Sequence, residues 1–200
     1  MAHANAKMKS ILLIMLGMLE IPVSCMEFVA TLVKDIYPGP SYAHSSGPGP
    51  FTRFKNRLYF QAETELGEEL WATDGTSPGT RLIQDISTGV EGSKPSELTA
   101  FGDQLFFSAK GDDGVELWVS DGDKETKLLK NINTQGDSKP RTLTEFNEKL
   151  WFVAKVDYNN FQLWSTDGTE MSTQPLALNW RKLKSLYGSA GKKQQFPVFK

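Results

Sequence analysis

Apolar residues in the central part of the chain fall in short runs, parted by clusters of Gly, Asp, Asn and Pro. In "SELTAFGDQLFFSAKGDDGVELWVSDGDKETKLLKNI" the segments "ELTAF", "QLFFSAK", "VELWVS" and "TKLLKNI" are rich in aromatic and aliphatic residues. The breaks between them are "GD", "GDDG" and "DGDKE". The runs are too short, and too far from a 3.6-residue period, for helices; they predict four strands joined by tight turns. In "LYF", "LFF" and "LWF" (58–60, 105–107 and 150–152) three successive positions are apolar. That pattern suits a strand covered on both sides.

The same unit is written three times. Trp71, Trp118 and Trp164 recur at intervals of 47 and 46 residues; Asp74, Asp121 and Asp167 follow each Trp by three, and Gly75, Gly122 and Gly168 come next. Phe54, Phe101 and Phe146 hold the same register, as do Leu58, Leu105 and Leu150, then Phe60, Phe107 and Phe152; Pro48, Pro95 and Pro140 precede each unit. Four strands at a period of about 40–50 residues is the pattern of propeller blades. The expected fold is therefore all-β, a propeller-like stack of about three four-stranded antiparallel blades over 51–180. Three blades fall short of a ring of about 4–8, so the array is expected to be incomplete or completed by other copies. "TLVKDIYPG" (31–39) reads as the last strand of a preceding blade with its exit loop, within 26–50.

Each Trp is expected between neighbouring sheets, worth about 2–3 kcal/mol by burial. Asp-Gly after it is a tight-turn signal, Gly taking positive φ and Asp bonding back to nearby amides. Thr76 and Thr169 are placed to add hydroxyl bonds to the turn; in the middle unit Asp123 stands there, expected to accept from the same amides. Asp35, Asp85 and Asn131 close the outer strands, ahead of polar loops such as "STGVEGSKP".

The phrases "ELWATDGTSPGTRLIQDI", "ELWVSDGDKETKLLKNI" and "QLWSTDGT", with "GSKPSELTAFGDQLFF" and "DSKPRTLTEFNEKLWF" between them, resemble the ELWxxDGT repeats of secreted and surface proteins, chiefly bacterial. The resemblance spans residues 31–173 and implies β-propeller-type units. It implies no shared activity. Past Thr169 the pattern departs, with "MSTQPLALNW" placing Pro175 where a ladder amide is expected.

A chain of 200 residues, 39% hydrophobic and with a net charge of -2, can bury one ordinary core and gives no reason to expect nucleic acid as a partner. Residues 1–25 read as a signal peptide, with Lys7 and Lys9 ahead of the apolar run Ile11–Leu19. Secretion or a cell-surface location is the expectation. Cys25, the single cysteine, ends "IPVSC", which resembles a lipobox and offers a membrane anchor as the alternative to simple secretion. The folded part holds no disulfide. Residues 181–200 carry six Lys or Arg and no acid, and read as a basic tail.

His3 and His44 are the only histidines, which leaves no Ser-His-Asp or Cys-His arrangement. Asp74, Asp121 and Asp167 recur beside Gly as turn residues do, so no catalytic or metal-binding residue is assigned. "TELGEE" (64–69) and "KGDDGVE" (110–116) gather carboxylates that suit calcium, the one cofactor considered. The expected function is a non-catalytic binding or interaction scaffold for a protein or glycan ligand, with self-association as a further mode. The alternatives are a carboxylate-based hydrolase on a propeller face and an inactive fragment of a longer array.

Overall fold

The computed structural model describes residues 30–38 and 45–176; the signal-peptide, lipobox and basic-tail expectations lie outside the described residues. Twelve strands form three four-stranded antiparallel sheets, and the described residues contain no helix. The first sheet is β1 (Thr52–Phe54), β2 (Arg57–Thr64), β3 (Gly67–Thr73) and β4 (Arg81–Gln84). The second is β5 (Ser96–Phe101), β6 (Gln104–Gly111), β7 (Gly114–Ser120) and β8 (Thr126–Lys130). The third is β9 (Arg141–Phe146), β10 (Lys149–Asp157), β11 (Asn160–Thr166) and β12 (Gln174–Pro175). Strands follow one another in sequence order within each sheet, and no sheet closes on itself.

Register carries the repeat into space. Trp71 pairs across from Phe60, Trp118 from Phe107 and Trp164 from Phe152. On its other side each Trp faces Leu82, Leu128 and Pro175 in turn. The unit therefore continues past Thr169: Gln174 and Pro175 start the fourth strand in the register of Arg81–Leu82 and Lys127–Leu128. Pro175 is compatible with this place because an outermost strand needs ladder bonds on one side only.

The sheets stack through their faces. Phe54, Tyr59, Leu70 and Ala72 of the first sheet pack against Leu105, Phe107 and Ala109 of the second, with Trp118, Ile83 and Ile86 beside them. Phe106, Leu117, Val119, Leu129 and Ile132 of the second then pack against Leu150, Phe152, Ala154 and Trp164 of the third. The remaining face of the first sheet, Phe60, Ala62 and Trp71 with Leu82 beside them in β4, is packed by Ile36. Residues Leu105 to Phe107 of "LFF" are all fully buried, as a strand covered on both sides requires. Along one side of the stack β5 lies against both β1 and β9. There the Thr52 hydroxyl donates to the Leu98 carbonyl (3.0 Å) and the Thr142 amide to the Glu97 carboxylate (2.7 Å).

Candidate functional site

The Asp-Gly turns come first, because they carry the repeated phrase. The Asp74 Oδ1 accepts from the Thr76 amide (2.9 Å) and hydroxyl (2.7 Å). Asp167 does the same with Thr169 (3.0 and 2.9 Å) and also binds the Ser172 hydroxyl. In the middle unit Asp121 gathers three amides, those of Asp123, Lys124 and Glu125 (2.8, 2.9 and 3.0 Å). These donors hold all three carboxyls below their ordinary value: the Thr76 hydroxyl leads for Asp74, the Asp123 amide for Asp121 and the Ser172 hydroxyl for Asp167. Gly75, Gly122 and Gly168 all have positive φ, 91°, 85° and 103°. Asp123 departs from expectation. Its carboxylate leaves the turn and pairs across the junction with Arg81 (2.6 Å) and Arg57 (3.6 Å) of the first sheet.

The turns also mark the junctions. The Tyr59 hydroxyl donates to the Gly122 carbonyl (2.8 Å), and Lys55 Nζ donates to the Asp121 carbonyl (2.9 Å). A Cβ on Gly122 would lie 2.9 Å from the Phe54 ring and 2.5 Å from the Tyr59 hydroxyl, so glycine is required by contact as well as by φ.

A second repeated device lies two residues before Trp71 and Trp118. Glu69 and Glu116 are fully buried. Glu69 accepts from the amides of Ile86, Ser87 and Ser93 and from the Ser93 hydroxyl. Glu116 accepts from the amides of Ile132 and Ser138 and from the Ser138 hydroxyl. Each carboxyl thus grips both ends of the loop that leads to the next sheet. Burial raises both carboxyls above their ordinary value, opposed by the serine hydroxyl and loop-amide bonds. Sequence reading missed this pair by placing both glutamates in acidic hairpin tips. The signal was present: the first letter of the repeated phrase is Glu69, Glu116 and then Gln162, and Ser46, Ser93 and Ser138 each stand two residues before a repeated Pro. The carbonyls of Ser46, Ser93 and Ser138 accept from the amides of Glu63, Lys110 and Lys155 in turn, so the serine position is itself a repeat.

Taking Glu69 and Glu116 inward leaves Glu65 and Glu68 at one tip and Asp112 and Asp113 at the other. Among the described residues no group of three or more His, Cys, Asp or Glu is gathered to hold a metal ion. Two of the small clefts among the described residues bear on this question. One, lined by Leu32, Val33, Ile36, Pro48 and Phe60 together with Lys34, Ser46 and Thr80, is mostly apolar and contains no carboxylate. The other, about 120 Å³, lies beside Trp118 between Gly111 and Gly114 and includes Asp112 and Asp113.

The three indole rings differ in cover. Trp71 and Trp164 are 8% and 6% exposed, while Trp118 is half-buried with its ring against Gly111, whose Cβ would lie 2.6 Å from Cζ2. All three indole Nε1 atoms are buried without a protein acceptor, as are the Oδ1 atoms of Asp85 and Asn131 without a donor.

Among the described residues the third sheet is the last of the stack. Its outward side carries Phe146 and Leu163, 61% and 41% exposed, with half-buried Trp151 between β9 and β11. No family model matches this chain, and no curated protein is a significant match to it.

Proposed function

We propose that this chain is an exported, non-catalytic scaffold of propeller-type blades, which presents its inter-sheet loops and its open end to partners. One observation carries the reading. The two carboxyls raised above their ordinary value by burial, Glu69 and Glu116, are sealed from solvent and engaged with loop amides and serines. The turn carboxyls, Asp74, Asp121 and Asp167, are exposed or nearly so and shifted the other way. A hydrolase of the two-carboxylate kind needs an accessible pair some 5–10 Å apart with one proton retained near neutral pH. The stacking of β1, β5 and β9 in order supports blades set side by side around one edge. Export rests on the apolar run Ile11–Leu19 and its preceding lysines.

The test is a screen of the purified chain against chromogenic glycosides and esters beside a glycan-binding array. The reading expects binding without product. Turnover above buffer that disappears in an Asp112→Asn, Asp113→Asn double variant would establish the hydrolase alternative.

A further inference from the structure

One kind of junction is built twice into this chain, and each end of the stack carries half of another. The covering half is Phe54, Tyr59, Leu70 and Ala72 in the first sheet, and Phe101, Phe106, Leu117 and Val119 in the second. Leu70 and Leu117 are fully buried there. The same positions in the third sheet are Phe146, Trp151, Leu163 and Ser165, of which Phe146 and Leu163 are exposed and Trp151 and Ser165 half-buried. The receiving half shows the complementary defect. Leu105 and Leu150 are fully buried, whereas Leu58 at their position in the first sheet is half-buried, and Phe51, whose ring packs on Phe60, is 44% exposed. The rest of that receiving face, Phe60, Ala62 and Trp71, is already buried, with Ile36 packed on it as Ile86 and Ile132 pack at the two internal junctions, so the part left open is the end at Leu58 and Phe51.

We infer that the partner for these surfaces is a second copy of this chain: the third sheet of each copy seats on the first sheet of the other, and two such junctions close a six-unit ring. The inference rests on the stacked-blade reading proposed above. Internal continuity says what fits the open face, because its residues repeat those that twice bury a receiving face of the Leu-Phe-Ala-Trp kind. Charge agrees. At the first internal junction Arg57 reaches the Asp121–Asp123 turn of the next unit. Lys149 holds the position of Arg57 in the third sheet and would meet the Asp74 turn of the second copy. Count decides between assemblies. A head-to-tail contact either closes or runs on as an open array, and rings of this type hold about 4–8 units. Counting the three sheets that the described residues of each chain form, two chains fall inside that range, and one or three do not.

The measurement is the mass of the full, purified chain in solution by light scattering and sedimentation, set against its denatured mass. The expected result is two chains per particle. Leu163→Glu, on the covering face, and Phe51→Glu, on the receiving face, should each halve that mass. Circular dichroism is recorded on every sample. A single-chain particle that retains β-sheet signal would overturn the inference alone, and would assign the open face to cover from the same chain. A dimer abolished by Leu163→Glu and untouched by Phe51→Glu would mean that third sheets meet each other, also against it. Mass that climbs past two chains with concentration would indicate an open array and sink the closed ring. Loss of sheet signal in the parent chain would remove the stacked-blade reading and this inference with it.

Discussion

Glu116 sits under Trp118 with no water access, yet every polar atom it presents is met by the loop leading to the third sheet. A buried carboxylate without donors would cost several kcal/mol; with two amides and a hydroxyl around it, it becomes a clamp. Glu116→Gln keeps the shape but turns an NH2 donor toward amide donors. Urea unfolding should show a loss of about 1–3 kcal/mol. Gln162 holds this position in the third unit, so the amide is compatible with a strand there and the loss belongs to the loop. At Thr142 the strain runs the other way. This β-branched residue has φ 54°, at the same repeat position as Glu97 with φ 58°. A left-handed conformation costs a non-glycine residue roughly 1–2 kcal/mol, and its hydroxyl bonds only to the Arg141 carbonyl. Thr142→Gly should therefore raise stability by about 0.5–1 kcal/mol, once glycine's own entropy is subtracted, visible as a higher urea midpoint.

The strands were legible in the sequence because alternation and turn residues act locally, and the four segments quoted from the middle unit correspond to β5 through β8. The register of each Trp opposite a Phe followed from equal spacing, since a period kept in sequence is kept in a ladder. What could not be read was where side chains at the strand ends turn. Asp123 was expected to serve its own turn and reaches instead for Arg81 and Arg57, a partner choice that only the stacking of two sheets creates. Glu69 and Glu116 were hidden for the same reason, because the donors they bind lie 16 to 24 residues away in a loop with no regular pattern. The turn that begins at Asp74 offers its own test. A Cβ on Gly79 would overlap the Asp74 carboxylate, so the turn must open to admit it. Gly79→Ala should cost on the order of 0.5–3 kcal/mol and release Asp74 toward an ordinary carboxyl titration, which carboxyl-carbon NMR would follow.

Over the whole molecule these groups pull in opposite directions with pH. Asp74, Asp121, Asp137 and Asp167 have depressed carboxyls in the folded state, so their stabilisation is present above the ordinary value of 3.8 and disappears as pH falls through the folded values. Glu69 and Glu116 are raised. Their contribution is complete below the ordinary 4.5 and fades as pH rises through the folded values. Acidifying from neutrality should first increase stability, as the folded state binds protons at the two glutamates, and then decrease it below about pH 4 as the aspartates protonate. Urea midpoints measured across this range check the sign, and the Glu69→Gln, Glu116→Gln double variant should flatten the initial rise. At this scale the sequence announced three units and their stacking rings, since the aromatic period is a global pattern. It did not announce which faces stay open, because the exposure of Phe146 and Leu163 depends on whether another sheet lies beyond the third.

The clamp made by Glu69, and likewise by Glu116, also separates the part of a connecting loop that must keep its shape from the part that need not. Glu69 fixes the chain at Ile86, Ser87 and Ser93, and between them Val90 stands 82% exposed. Foreign peptide spliced into that arc would enter and leave through anchored ends, making the fold a ready frame for displaying recognition sequences of varied length.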